Sequence, residues 1–374
     1  MTVCGTGEQD SFWLNTDCCG LICACTTYTL LLFAEYAMLF VILDPWFVEA
    51  DISLPGSENV KEGESGSVSI GYNKGTFHAV AFSTIVALAI LSHLKAMTTD
   101  PGAVPRDARP LDHSDTLENA NKKNYRMCLK CNSFKPGRTH HCSICRRCVV
   151  KMDHHCPWVN NCVGLGNHKF FLLFLMYVFT ASIYALTIIF TRFLKCSSPG
   201  PKLRGHRQHN ITMKPGCENT LGGSMIIFAI VTEALLFGLF TMCMMCDQWS
   251  VVLSAMTQID RLKGERVRKR SLCENLTEVF GGEPRFSIFW ILPVPVRFLD
   301  HERTYGYRRA SNDVVNIDGI GMTNEVELVI QGSGSGLGNG NGSRVVDLST
   351  EDGGLAINSP TKTQKGKKYN LVPS

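Results

Sequence analysis

The sequence predicts an all-α polytopic membrane protein, with four transmembrane helices and a cytosolic two-zinc cysteine-rich domain of short strands and loops. Three observations predict it. Residues 21–43, 77–97, 170–194 and 224–246 are almost free of charge. The 35 residues from Cys128 to Cys162 hold seven cysteines and four histidines, just before the third apolar run. Basic residues gather on one set of loops and acidic residues on another.

Each apolar run of about 20 residues can cross a ~30 Å hydrocarbon core at about 1.5 Å per residue. One such run could be a buried core helix, but four separated by polar loops argue against that. The first run is not a cleavable signal peptide. Its N-terminal flank has no Lys or Arg and carries Glu8, Asp10 and Asp17, and the run exceeds a signal core in length. Glu35 and Glu233 fall inside predicted spans, where ionisable groups face protein or water.

Orientation follows from the excess of Lys and Arg on cytoplasmic loops. The loop between spans two and three carries Lys122, Lys123, Arg126, Lys130, Lys135, Arg138, Arg146, Arg147 and Lys151. Beyond span four come Arg261, Lys263, Arg266, Arg268, Lys269 and Arg270. The loop between spans one and two is acidic, with Asp44, Glu49, Asp51, Glu58, Glu62 and Glu64. Both termini and the cysteine-rich loop are therefore expected in the cytosol. Dense cysteines in that reducing compartment indicate metal binding or catalysis rather than disulfides. Juxtamembrane basic clusters favour anionic headgroups of the lipid bilayer. No aromatic-interleaved basic patch points to nucleic acid.

The expected organisation is a cytosolic tail at 1–20, span one at 21–43 and a lumenal loop at 44–76. Span two at 77–97 stops before Asp100-Pro101-Gly102, as proline and glycine dictate. The cysteine-rich domain occupies 98–169, with its core at 126–164. Span three follows at 170–194, a second lumenal loop at 195–223 and span four at 224–246. Residues 247–309 mix amphipathic and aromatic stretches suited to the membrane surface. The tail at 310–374 is polar and includes the low-complexity run GSGSGLGNGNGS at 332–343, so it is expected to be disordered.

Cys128 and Cys131 form one CxxC pair, and Cys142 and Cys145 another. This spacing lets two thiolates reach one tetrahedral zinc at about 2.3 Å. Interleaving completes the sets: Cys128, Cys131, His141 and Cys148 for one ion, and Cys142, Cys145, His155 and Cys162 for the other. His140 could replace His141, and Cys156 could be a ligand with Cys162 as the spare. Alternation favours the first division, because residues two apart on an extended segment share a face. His155 then turns to the metal, while His154 and Cys156 turn together the other way.

Two ions use eight of the eleven groups, which leaves His140, His154 and Cys156. A thiol beside an imidazole is the arrangement of an activated sulfur nucleophile. A zinc with three thiolates and one imidazole carries a formal charge of −1, so it does not lower a neighbouring thiol pKa by attraction. Its part is to hold the loop rigid, and activation of Cys156 falls to His154 and nearby cations. Asp153 can orient that imidazole if the backbone bends locally.

Asp153-His154-His155-Cys156 within this cysteine pattern resembles the DHHC family of protein S-acyltransferases (palmitoyltransferases) over roughly residues 20–300. The resemblance implies that Cys156 accepts a palmitoyl group from palmitoyl-CoA and passes it to cysteines of membrane-associated proteins. It also implies His154 as general base, Asp153 as its partner and the two structural Zn²⁺ sets above. The family's Thr-Thr-x-Glu motif has its nearest match at Thr257-Gln258-Ile259-Asp260, where the second threonine is missing and the acid is shorter. Asn275 and Phe280 match a C-terminal asparagine–aromatic motif. Val279-Phe280-Gly281 resembles the Golgi-type branch, which implies a Golgi membrane. For the coenzyme A phosphates the candidates are Lys135, Arg138 and His140, in the loop between the CxxC pairs.

The fatty chain is expected among the helices. Ala181 and Ser182 lie roughly 17–18 Å beyond Phe170 along span three, comparable to an extended sixteen-carbon chain. Both are small, so the tunnel should admit sixteen carbons and somewhat more.

Overall fold

The computed structural model describes residues 13–43, 70–111, 125–198, 217, 219–264, 267, 270–283 and 285–309. Among them, four helices are long and apolar enough to cross a membrane: Cys18–Leu43, Gly75–Thr98, His168–Ser197 and Leu221–Ser254. Each overruns its charge-free run, and side-chain caps start two of them. Asp17 accepts the Gly20 N–H at 3.0 Å and starts span one. Thr220 does the same for Gly223 in span four. These side chains satisfy N–H groups that the first turn leaves without an internal partner. Span one changes to π-helical geometry over Ala37–Leu43.

Span three packs against spans two and four. Phe170, Phe171, Leu173, Leu175 and Val178 of span three join Phe82, Val86 and Ala89 of span two in the main apolar core. Gly238 of span four lies against Ser182, and a Cβ there would stand 3.2 Å from the serine Cβ. Many large apolar side chains elsewhere on the spans, such as Ile22, Phe40, Phe228 and Leu239, are exposed, as a lipid-facing surface requires.

The cysteine-rich domain is built from two-stranded antiparallel ladders. β2 (Met127–Cys128) pairs with β3 (Ser133–Phe134). β4 (Thr139–Cys142) pairs with β5 (Arg147–Val150), and β6 (His154–Cys156) with β7 (Asn161–Val163). A fourth ladder joins β1 (Ala108–Arg109) to β8 (Arg308–Arg309), which ties the start of the domain to the chain beyond span four.

Asp100-Pro101-Gly102 straps this domain to span two. Asp100 Oδ1 accepts the N–H groups of Gly102 and Ala103 at 2.8 and 2.6 Å. Gly102 has φ +102°, and its carbonyl accepts the Val150 N–H at 2.8 Å. Asn161 Nδ2 donates to the Ala96, Met97 and Thr99 carbonyls that end span two. Trp13 Nε1 donates to Asn161 Oδ1 at 2.9 Å, so the N-terminal segment is held at the same point.

After span four, a helix at Leu272–Phe280 docks through Asn275, whose amide donates to the Leu253 carbonyl at 2.8 Å. Phe280 stacks on Trp290 with centroids 5.3 Å apart. The segment beyond folds back on span three: Lys169 Nζ donates to the Phe289 and Val294 carbonyls, and Tyr177 to that of Ile291. Cys196 and Cys217 form a disulfide at the opposite end of the bundle from Gln248 and His168, a pairing the sequence reading did not anticipate. Asn210, Asn341 and the 310–374 tail lie outside the described residues.

Candidate active site and metal centres

Two clusters in the cysteine-rich domain can each hold a metal ion. Cys128, Cys131, His141 and Cys148 place their ligand atoms within 4.8 Å of one another, and so do Cys142, Cys145, His155 and Cys162. The Nδ1 of His155 stands 3.7, 3.4 and 3.6 Å from the sulfurs of Cys142, Cys145 and Cys162. The corresponding distances from His141 to Cys128, Cys131 and Cys148 are 3.8, 3.2 and 3.9 Å. A tetrahedron with bonds of about 2.0–2.3 Å has edges of about 3.6 Å, so the donor sets fit zinc in size and chemistry.

Strand register explains the grouping. His141 pairs across with Cys148, and His155 with Cys162. Each CxxC turn closes on a residue with positive φ, Asn132 and Arg146. The structure keeps His140 and Cys156 out of both clusters.

β6 places His155 toward its metal cluster and leaves His154 and Cys156 on the other face. His154 Nδ1 lies 2.8 Å from Asp153 Oδ2, although the two residues are adjacent in sequence. The sequence could not derive this bend. Asp153 is only 2% exposed and has two further donors. Gln248 Nε2 donates to Oδ2 at 2.9 Å, and the Gln258 backbone N–H donates to Oδ1 at 2.7 Å. Burial alone would raise the Asp153 pKa, but the hydrogen bonds from His154, Gln258 and Gln248 hold it at about 2. Burial would lower His154, yet its bond to Asp153 and its interaction with Cys156 raise it to about 9. The ring packs edge-on against Phe171, 5.6 Å between centroids. Its Nε2 is buried without a hydrogen-bond partner, which leaves that atom for the Cys156 sulfur.

Gln248 was missed at the sequence level because it lies just past the last residue assigned to span four. It is fully buried, and its Oε1 meets His168 Nε2 at 2.9 Å. It therefore positions Asp153 rather than touching the reacting sulfur. A buried hydrogen bond to a charged group contributes roughly 1.5–3 kcal/mol. Gln248→Leu is accordingly expected to slow chemistry at Cys156 roughly 10- to 100-fold while metal content stays unchanged; an unaltered rate would remove Gln248 from the site.

The departure from Thr-Thr-x-Glu has a structural answer. Thr257 and Asp260 form a reciprocal capping box at Gln258–Lys263. Gln258 contacts Asp153 through its backbone N–H, so no threonine side chain is needed there. Asp260 is fully buried and takes a two-nitrogen contact from Arg138, at 2.9 and 2.6 Å. Arg138 also donates to the Ala255 carbonyl. Burial would raise the Asp260 pKa, but His140, with its Nε2 3.9 Å from Oδ1, and the hydrogen-bonded Arg138 guanidinium hold it below the usual carboxylate range. Two of the three phosphate candidates, Arg138 and His140, thus converge on a structural acid. Lys135 enters the same loop, its backbone N–H donating to the Arg126 carbonyl at 2.9 Å.

Cys156 is 5% exposed and lines an apolar cavity that runs between the spans. Trp158, Phe171 and Phe174 surround the mouth near Cys156, and the lining continues through Ala181, Ser182 and Ala185 to Ile230 and Glu233. Thr27, Leu31 and Ala34 of span one close another side.

These features define a membrane-embedded protein in which a two-metal cysteine–histidine domain presents an Asp–His–Cys constellation to an apolar chamber. Residues 121–265 match the family described as DHHC palmitoyltransferase. Palmitoyltransferase ZDHHC7 of Mus musculus is 35% identical over 290 residues, covering 77% of this chain and 82% of its own. Palmitoyltransferase ZDHHC3 of Homo sapiens is 35% identical over 291 residues, 77% of this chain and 85% of its own. "Probable protein S-acyltransferase 15" of Arabidopsis thaliana is 37% identical over 157 residues, 42% of this chain and 54% of its own. The chain belongs to the DHHC palmitoyltransferase family.

Proposed function

We propose that this protein is a protein-cysteine S-palmitoyltransferase working through an acyl-Cys156 intermediate. The observation that carries the reading is the position of Cys156, with His154 beside it, on the lining of an apolar cavity between the spans. In the first half-reaction the Cys156 sulfur attacks the thioester carbonyl of palmitoyl-CoA. The carbon–sulfur bond to coenzyme A breaks, and the Cys156 proton passes by way of His154 Nε2 to the departing thiolate. In the second half-reaction a cysteine of a membrane-associated protein attacks the acyl-Cys156 thioester and restores the free thiol. Asp153 keeps the His154 ring in place through Nδ1. Zinc fits the two donor sets, Cys128, Cys131, His141 and Cys148 and Cys142, Cys145, His155 and Cys162, and bound there it would hold the ladders of the cysteine-rich domain in register. The direct test is intact-mass measurement after incubation with palmitoyl-CoA, which should add one hydroxylamine-labile palmitoyl group on Cys156; the absence of such an adduct in folded, metal-replete protein would reject the reading.

The cavity also supports a chain-length reading. Ala181 and Ser182 both line it and are buried. A phenyl ring at either position fills space that the end of a sixteen-carbon chain needs. Ala181→Phe and Ser182→Phe are expected to shift acyl-CoA competition toward fourteen-carbon donors; unchanged preference in both active variants would show that the floor lies elsewhere.

The membrane orientation we infer puts both termini and the cysteine-rich domain in the cytosol. Basic loops support it, and so does a disulfide at Cys196–Cys217 on the far side of the bundle, since disulfides persist in oxidising compartments. Three Asn-x-Ser/Thr sequons occur, Asn210-Ile-Thr, Asn275-Leu-Thr and Asn341-Gly-Ser; this orientation places only Asn210 in the lumen, so glycan on Asn275 or Asn341 would overturn it. The Val279-Phe280-Gly281 resemblance supports a Golgi membrane, to be checked by co-localisation of the full chain with Golgi markers.

A further inference from the structure

The cavity that ends at Cys156 is almost wholly apolar, yet Glu233 of span four belongs to its lining. The other oxygen-bearing side chains in that lining are already satisfied. Thr27 donates to the Cys23 carbonyl at 3.0 Å, Ser182 to Val178 at 2.9 Å and Thr241 to Phe237 at 2.6 Å. Such back-bonds to the preceding turn use the hydroxyl proton and aim it away from the chamber. Glu233 differs: its Oε2 is buried with no hydrogen-bond partner. An unpaired buried oxygen is costly, and nothing apolar can offset that cost.

The depth of Glu233 indicates which part of a ligand would meet it. Gly238 packs on Ser182. Spans three and four run antiparallel, since His168 meets Gln248 at one end and Arg192 meets Asn219 at the other. Glu233 precedes Gly238 by five residues, so it lies about 7 Å farther from the Cys156 end than Ser182. Ile230 and Ala185 line the same region. The carboxyl group therefore stands past the end of an extended sixteen-carbon chain, where the far end of a chain of about twenty carbons would arrive.

We propose that Glu233 makes this chamber accept acyl chains carrying a hydroxyl at or near the far end, with the chain O–H donating to Glu233 Oε2. The inference rests on the acyltransferase reading and adds a substrate class to it. A purely apolar chamber rejects such a chain, because the hydroxyl would lose its water without replacement. A chamber with a waiting acceptor reverses this, and a methyl in the hydroxyl's place leaves that acceptor unpaired.

The test is competitive loading of Cys156 with 20-hydroxyicosanoyl-CoA against henicosanoyl-CoA, in which a methyl replaces the hydroxyl at equal chain size. The full-length protein in detergent or nanodiscs is read by intact mass, and only the ratio of the two adducts counts, so a general loss of activity cancels. Wild type should load the hydroxylated chain at least as well as its methyl counterpart. Glu233→Leu should shift the ratio at least tenfold toward the methyl chain, while Glu233→Gln, which keeps an oxygen acceptor, should stay near wild type. A tenfold or greater preference of wild type for henicosanoyl-CoA overturns the proposal, as does failure of wild type to load either long chain or an unchanged ratio in Glu233→Leu. The wild-type arm decides even where a variant does not fold. Failure of wild type to load palmitoyl-CoA itself is the separate result that removes the acyltransferase reading.

Discussion

Cys156→Ser is expected to abolish acyl transfer while the protein keeps two metal ions per chain. Serine keeps the shape of cysteine with a smaller atom in place of sulfur, and Cys156 sits in the apolar core with Val159, Val163 and Phe171 rather than in either metal cluster. The fold should therefore tolerate the change. The chemistry should not, because a serine hydroxyl ionises far less readily than a thiol and the neighbouring imidazole cannot make up the difference. Loss of a nucleophile that works with a base costs on the order of 10⁴-fold or more in rate, which places the variant below detection in a labelled-palmitate assay. Elemental analysis supplies the second readout. A Cys156→Ser protein that contains one ion instead of two would make Cys156 a ligand and would undo the division between scaffold and chemistry.

Cys145→Ala should behave in the opposite manner, losing metal first and activity as a consequence. Cys145 is fully buried, 3.5 Å from the Cys162 sulfur, and accepts a contact from Asn15 Nδ2 at 3.8 Å. Its removal leaves three donors where four are needed. Structural zinc contributes about 10–16 kcal/mol in isolated zinc-finger peptides, comparable to the whole stability of an ordinary domain of about 5–15 kcal/mol. His155 and Cys162 belong to this cluster and face each other across β6 and β7, the ladder that also carries Cys156. The variant is thus expected to retain at most one ion, to melt at a lower temperature and to lose acyl-enzyme formation. The same protein with full metal content and an unchanged melting temperature would show that this cluster is not a structural metal site.

The two variants together draw on features that are legible at different levels. Charge-free runs of helical length reveal the spans, because the requirement to satisfy every backbone polar group in lipid acts on each segment separately. Cys-x-x-Cys spacing and strand alternation are local rules too. They were enough to group the eight donors that the fold brings within 4.8 Å in each set. The same alternation put His154 and Cys156 on one face, as β6 does.

Other parts of the site depend on where distant segments meet. Gln248 reaches Asp153 across 95 residues of sequence, and the Gln258 N–H does so across 105. No periodicity reports such contacts, since they exist only once span four lies beside span three and its cytosolic end turns back over the cysteine-rich domain. Arg138 read as a free cation in a loop, but tertiary packing gives it Asp260 as a buried partner. The Asp260 that looked like a weakened motif serves as that partner because its short side chain sits at the start of a capped turn. Glu233 was visible as an acid in a membrane span, and only the bundle shows that one of its oxygens is buried unpaired at the lining of the acyl chamber. The sequence by itself thus indicated the membrane class, the candidate metal donors and the candidate nucleophile, all of which are written in composition and spacing. The orientation of the Asp153 carboxylate, the partners of Arg138 and the shape of the chamber were decided by the tertiary structure alone, because each arises from side chains that approach only when antiparallel helices pack.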